Sequence, residues 1–192
     1  MSDTPALAQG TPAYPAELER VWQSADGTPV TLRALRPDDL DRELAFIAGL
    51  SEETLHMRLQ YSARGVNREE AARLLQLDYH DTFAMGALVA QGPDQRLVGV
   101  SRYARVPDTD RAECAIVVAD DWQGRGLGTE LMRSLGTAAR ARGILALEGT
   151  ILGENQRILA WAHRFGFTVT AEPNSGGMLK VTLDLGSFPS LS

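Results

Sequence analysis

Two periods organise the chain. Val30, Leu32 and Ala34 alternate with Thr31 and Arg33, which predicts a half-buried strand over Pro29 to Leu35. Leu18 to Gln23 alternates more weakly, and Asp26-Gly27 between the two runs is a hairpin turn signal. Arg36-Pro37-Asp38-Asp39 then opens a helix with acidic residues in its first turn. Leu40, Leu44, Ile47 and Ala48 form its apolar stripe, and Gly49 its stop. Ser51 can cap a second helix carrying Leu55 and Leu59. Asn67 and Glu70 have capping-box spacing for a third, with Ala71, Leu74 and Leu75 inward. Strand-length apolar runs follow at Thr82 to Ala90, Leu97 to Val106 and Arg111 to Ala119. Leu131, Leu135, Ala138 and Ala139 share one face of a helix from Leu127 to Arg142, ended by Gly143. Leu145 to Leu152 reads as a strand. Asn155 caps a helix carrying Ile158, Leu159, Ala162 and Phe165 that stops at Gly166. Phe167 to Ala171 and Met178 to Leu185 close as an antiparallel pair around Asn174-Ser175-Gly176-Gly177.

This order predicts one mixed α/β domain over 17–186, between tails at 1–16 and 187–192. A length of 192 residues suffices for one such domain, which buries about 70% of its unfolded surface. Apolar content of 44% and charge of 23% are ordinary for a soluble globular protein. A net charge of −6 without a basic stripe argues against nucleic acid and suits a cationic, amine-bearing partner. The single Cys114 excludes an internal disulfide, and three scattered histidines make no metal site. The N-terminus lacks a basic region and an apolar core. No apolar run approaches about 20 residues. The expectation is a cytoplasmic protein without membrane contact, monomeric or pairing through the sheet edge left by its closing strands.

The chemistry gathers where the strand ending at Ala119 meets Gly124, Gly126 and Gly128 at alternate positions and then a helix. Glycines let backbone amides approach a phosphate closely, and a helix N-terminus adds unsatisfied N–H groups and partial positive charge. A Walker loop would need Gly-Lys-Ser/Thr, but Thr129 and Glu130 follow Gly128. The dinucleotide fingerprint would need a glycine at Thr129. What stands here is Gln123-x-x-Gly126-x-Gly128. By itself this also fits a glycine-rich turn with no ligand.

With its preceding strand, that loop resembles the acetyl-CoA loop of the GCN5-related N-acetyltransferases (GNAT). The element order is similar from Thr28 to Leu185. Glu154 to Ala160, running to Arg164-Phe165-Gly166-Phe167, resembles that family's C-terminal motif. Leu35-Arg36-Pro37-Asp38-Asp39, Leu50-Ser51, Asp78-Tyr79 and Ala112-Glu113-Cys114-Ala115-Ile116 look like the acetyltransferase domain of bacterial Pat-type protein-lysine acetyltransferases. Those enzymes often carry a large acyl-CoA-synthetase-like or cyclic-nucleotide-binding domain, and no such domain fits within these residues.

The resemblance implies a mostly antiparallel sheet of six to seven strands, flanked by helices and splayed into an acetyl-CoA cleft. It implies coenzyme A contacts from Ile116, Val117 and Val118 at the strand end. Further contacts fall to Gln123, Gly124, Arg125, Gly126, Leu127, Gly128 and Thr129 in the loop, and to Asn155. A bulge near Val118 would aim an amide at the thioester oxygen. No metal is implied. Glu113 is the implied general base for an amine attacking directly. Its pKa near 4.3 lies about 6 units below lysine, so direct ground-state transfer costs about 8 kcal/mol. It must act through water, on a desolvated lysine, or on the ammonium formed after attack. Read in isolation, Glu113 better suits a surface position at a strand edge or end. The tyrosine that often protonates the leaving thiolate in this family would fall at Ala162. A thiol of pKa near 8.5 is a fair leaving group without it. Cys114 points away from Glu113 and reads as packing, as does Trp122. His163 and His80 read as surface residues, and Tyr61 and Tyr103 as candidates for an acceptor cleft. The acceptor is then a protein lysine or a small-molecule amine. A non-catalytic acyl-CoA sensor is the alternative of another class.

Overall fold

Gly27, at φ 82°, turns the chain from β1 (Arg20–Gln23) into β2 (Pro29–Ala34) as the hairpin signal requires. The computed structural model describes residues 13–59, 66–171, 175–186 and 188. Tyr61, Asn174 and most of both tails lie outside them. After β2 come α1 (Leu40–Ala48), α2 (Glu52–Leu59) and α3 (Arg68–Leu74). The centre follows: β3 (Thr82–Gln91), β4 (Asp94–Arg105) and β5 (Arg111–Val118). Then come α4 (Leu127–Ala141), β6 (Ala146–Leu152), α5 (Gln156–Phe165), β7 (Thr168–Ala171) and β8 (Met178–Asp184).

One sheet holds all eight strands in the order β1-β2-β3-β4-β5-β6-β8-β7. That is one or two more than the resemblance implied, because the weakly alternating β1 pairs fully with β2. Every neighbouring pair is antiparallel except β5 and β6. Side chains alternate across a sheet, so neighbours in β4 report both faces. Gly99 and Ser101 meet α4: the Ser101 hydroxyl donates to the Leu131 carbonyl, and a Cβ on Gly99 would stand 2.8 Å from a Leu131 methyl. Arg102, on the opposite face, pairs with Glu43 of α1. The core therefore lies in two layers around β3 and β4, with Phe83, Leu88, Leu131 and Leu135 fully buried.

Two inward faces differ from their predicted stripes. In α1 the buried positions are Glu43, Phe46 and Ile47, with Leu50 beyond, while Ala48 is exposed and Leu44 half-buried. Arg102 pulls Glu43 inward and sets the helix rotation. In α3, Ala71 and Leu75 are buried and Leu74 is 37% exposed. The Leu74 carbonyl, not its side chain, serves the core side by accepting from Arg102. The capping predictions hold. Ser51 accepts from Thr54, Asn67 and Glu70 close a reciprocal box, and Asn155 accepts from Ile158.

Candidate active site

β5 treats its two neighbours differently. Against β4 it pairs without a register shift from Arg105↔Ala112 to Gly99↔Val118. Against β6 it pairs only at Arg111↔Ala146, Ala112↔Leu147 and Glu113↔Glu148. Beyond Glu113 the two strands diverge into a wedge. The expected bulge in β5 is absent. The sheet's irregularity lies between β3 and β4, at Ala87/Leu88. Splaying needs no bulge here, because β6 keeps full pairing with β8 on its other side.

Hydrogen-bond phase decides what lines the wedge. The Val106 amide donates to Arg111 and the Ala119 amide to Val98, one at each end of the β4–β5 ladder. Alternation along an antiparallel pair then turns the amides of Glu113, Ala115 and Val117 toward β4. Those of Cys114, Ile116 and Val118 point toward β6. Past the last pair, Glu113↔Glu148, β6 no longer receives those of Ile116 and Val118. Val117 thus offers the wedge no amide, whereas Ile116 and Val118 do.

The glycine turn stands at the open end. Gly124 and Gly126 take φ of 78° and 85°, which side chains adopt only with strain. Among the described residues, the amides of Gly124, Arg125, Gly126, Leu127 and Gly128 have no intramolecular acceptor. Five donors are thus left unspent at the start of α4, with the dipole of a 15-residue helix behind them. The donor set fits a pyrophosphate. Around the turn, the side chains engage one another. Gln123 donates to the Val118 carbonyl at 3.1 Å and accepts from Arg157 at 2.7 Å, tying the end of β5 to α5. Leu127 buries its side chain and Thr129 accepts from Trp161, so both are packed. Arg125 lies over the Trp122 ring and pairs with Asp26 at 2.6 Å. Hydrogen bonds from Ser24 and Thr28, with Arg125 nearby, hold Asp26 down at about 2. Asn155 spends its side-chain oxygen on the α5 cap, which leaves its amide nitrogen to donate.

Glu113 sits at the apex, in the last residue pair before the strands part. It is exposed, and its side chain has no hydrogen bond or ion pair among the described residues. Its register partner Glu148 is the reverse: Arg111 and Lys180 both pair with it, Lys180 at 3.1 Å. Burial opposes the ionisation of Glu148, but the hydrogen bonds from Lys180 and Arg111 outweigh it and hold the carboxyl below its ordinary range. This cluster escaped the sequence reading. Its one signal was that Lys180 is the only lysine in the chain.

Other candidates fall away from the wedge. Tyr103 is 3% exposed, stacks on Phe83 and donates to the His80 carbonyl, so it lines no acceptor cleft. Burial pushes its phenol up. His80 and His163 are exposed, Trp122 is buried, and Cys114 packs against the core. Ala162 is buried at 1% exposure. Among the described residues no group of histidine, cysteine and acidic side chains could hold a metal, and no helix is long and apolar enough to cross a membrane. A surface depression of about 810 Å³ at His80, Arg105 and Arg111 lies beyond the paired end of β5, away from the glycine turn.

Comparison with known proteins agrees with this geometry. The model of the acetyltransferase (GNAT) family matches residues 52–167. An acetyltransferase of Pseudomonas aeruginosa is 34% identical over 78% of this chain and 80% of its own length. The acetyltransferase Pat of Mycolicibacterium smegmatis is 32% identical over 70% of this chain, which spans 40% of that protein. The GNAT domain of S. lividans PAT superposes with a TM-score of 0.81 at 24% identity, over 90% of this chain and 99% of that one.

Proposed function

We propose, for a chain that belongs to the acetyltransferase (GNAT) family and draws its acyl group from acetyl-CoA, that the acceptor is a protein lysine and the base is Glu113. The observation that carries this reading is the end of β5–β6 pairing at Glu113↔Glu148. One exposed carboxylate stands there at the floor of a wedge lined by the amides of Ile116 and Val118.

Acetyl-CoA supplies the activated thioester carbon. The amides of Gly124 to Gly128 bind its pyrophosphate at the start of α4. The Val118 amide donates to the thioester oxygen as negative charge develops there, with Ile116 beside it. Glu113 removes a proton from the attacking amine through water or after attack, since the pKa gap forbids direct ground-state transfer. No acyl-enzyme forms, because Cys114 faces away from the Glu113 side of β5. The leaving thiolate departs without a tyrosine acid, Ala162 having none to give. The likeness to Pat-type enzymes favours lysine over a small amine. So does an apex open on the face that carries Glu113.

The test is acetyl-CoA turnover over folded candidate proteins, with acetyl-lysine mapping, beside a panel of small amines. Lysine acetylation well above the amine rates is expected. Turnover confined to small amines overturns the acceptor. A Glu113→Gln protein that turns over normally overturns the base. Acetyl-CoA binding without any turnover returns the chain to a sensor role.

A further inference from the structure

We propose that Lys180 is itself an acetyl acceptor, modified in cis by the domain that carries it. The inference rests on the reading that Glu113 and the wedge perform acetyl transfer to lysine.

The chain has one lysine against 18 arginines. Arginine makes the same surface ion pairs but offers no amine that can be deprotonated at ordinary pH. A protein almost stripped of lysine keeps its single one beside the apex. Lys180 pairs with Thr150 of β6, two residues past Glu148. Thr150, Glu148 and Glu113 share a face, since alternation places i and i+2 together and register partners side by side. From β8 the Lys180 side chain leans back over β6, and its Nζ stands 3.1 Å from a Glu148 oxygen. Glu148 in turn is the Cα partner of Glu113. The amine is therefore held on the wall of the wedge, against the register partner of the base and on the base's own face. Its side chain is 35% exposed, so it is oriented without being sealed off. Orientation of this kind raises the effective concentration of an intramolecular nucleophile.

The step balances without another reactant. Nζ gives up one proton through water, its lone pair bonds to the thioester carbonyl carbon, and Glu113 takes the second proton from the ammonium formed on attack. The C–S bond breaks with its electron pair on sulfur, and the thiolate is protonated. Acetyl-Lys180, coenzyme A and one released proton result. The modified side chain is neutral, so Glu148 is left with Arg111 as its remaining cation.

The experiment incubates the purified chain with acetyl-CoA and no other acceptor, then follows acetyl-Lys180 by peptide mass mapping. A urea-unfolded sample of the same chain gives the purely chemical rate. A parallel folded sample receives free lysine peptides, and coenzyme A release is read. Lys180 modification at least about tenfold faster in the folded chain is expected, at a rate per molecule that dilution does not change. A folded chain that acetylates the peptides but modifies Lys180 no faster than the unfolded chain overturns this inference alone. A Lys180 rate that rises in proportion to protein concentration also overturns the cis route. Absence of any turnover overturns both this inference and the function on which it rests. Lys180→Arg, checked for folding by circular dichroism, is expected to lose the mapped peptide signal.

Discussion

The two sides of β5 differ in what they leave undone. Toward β4 every ladder position is filled, α4 and α1 cover the two faces, and the buried Glu43 pairs with Arg102 through one of its oxygens. The clearest case of that pairing is Asp39, just before α1. It accepts from both Arg33 nitrogens at 2.7 Å, from the Arg36 amide and from Arg42, at 1% exposure. Toward β6 the ladder stops after three pairs, the Ile116 and Val118 amides find no acceptor there, and the Glu113 side chain has no hydrogen bond or ion pair among the described residues. One carboxylate is spent entirely on the fold, while the other stands exposed. A sheet can leave one seam open because its neighbours close theirs: β6 is held by β8 along its whole length.

The sharpest way to break this contrast is to neutralise each carboxylate. Glu113→Gln is expected to lower kcat by about 10²–10⁴-fold, the usual contribution of a general base. Acetyl-CoA affinity and melting temperature should stay unchanged, and a shift in either places Glu113 in the fold instead. Asp39→Asn should do the opposite, costing roughly 3–5 kcal/mol because it strands the buried Arg33. Activity per folded molecule should be preserved. The pH dependence has a definite sign. Burial opposes ionisation of Asp39, but Arg33, the Arg36 amide and Arg42 outweigh it and lower the folded pKa. Its contribution is present above the ordinary aspartate value of 3.8 and is lost as pH falls through the lowered folded value. Urea unfolding of wild type and Asp39→Asn should therefore converge in acid.

Smaller changes probe the seams themselves. Gly126→Asp places a carboxylate among the loop amides at φ 85°. The KM for acetyl-CoA should rise by about 10–100-fold from charge repulsion and backbone strain, and an unchanged KM removes the phosphate role of the turn. Gly99→Ala tests the closed side. Its methyl would meet Leu131 at 2.8 Å and Leu127 at 3.3 Å, so about 1 kcal/mol of stability should be lost as those side chains shift. The effect should appear in the denaturation midpoint and not in KM.

Much of this was legible beforehand because it is local. Helix caps at Ser51, Asn67 and Asn155 depend on residues three apart, and the Asp26-Gly27 turn on two neighbours. The run from strand to glycines to helix carries its own backbone geometry, since positive φ and free amides follow from the residues in it. The rotation of α1 was not legible, because Arg102, 59 positions away, draws Glu43 inward. Nor was the exposure of Leu74, the burial of Tyr103 or the service of Gln123 as a brace. Each depends on a partner that the chain brings near only by folding.

The sequence alone determined the strand-loop-helix that we propose receives a phosphate and placed Glu113 in the strand before it, because periodicity and glycine chemistry act over a few residues. Only the tertiary structure decided where β5 and β6 part company. That point depends on two strands more than thirty residues apart and on β8 holding β6 from behind. It puts Glu113 at the apex, turns the Ile116 and Val118 amides into the opening, and brings Glu148 and Lys180 beside them. No local pattern encodes such a place, because it exists only once strands distant in sequence have paired.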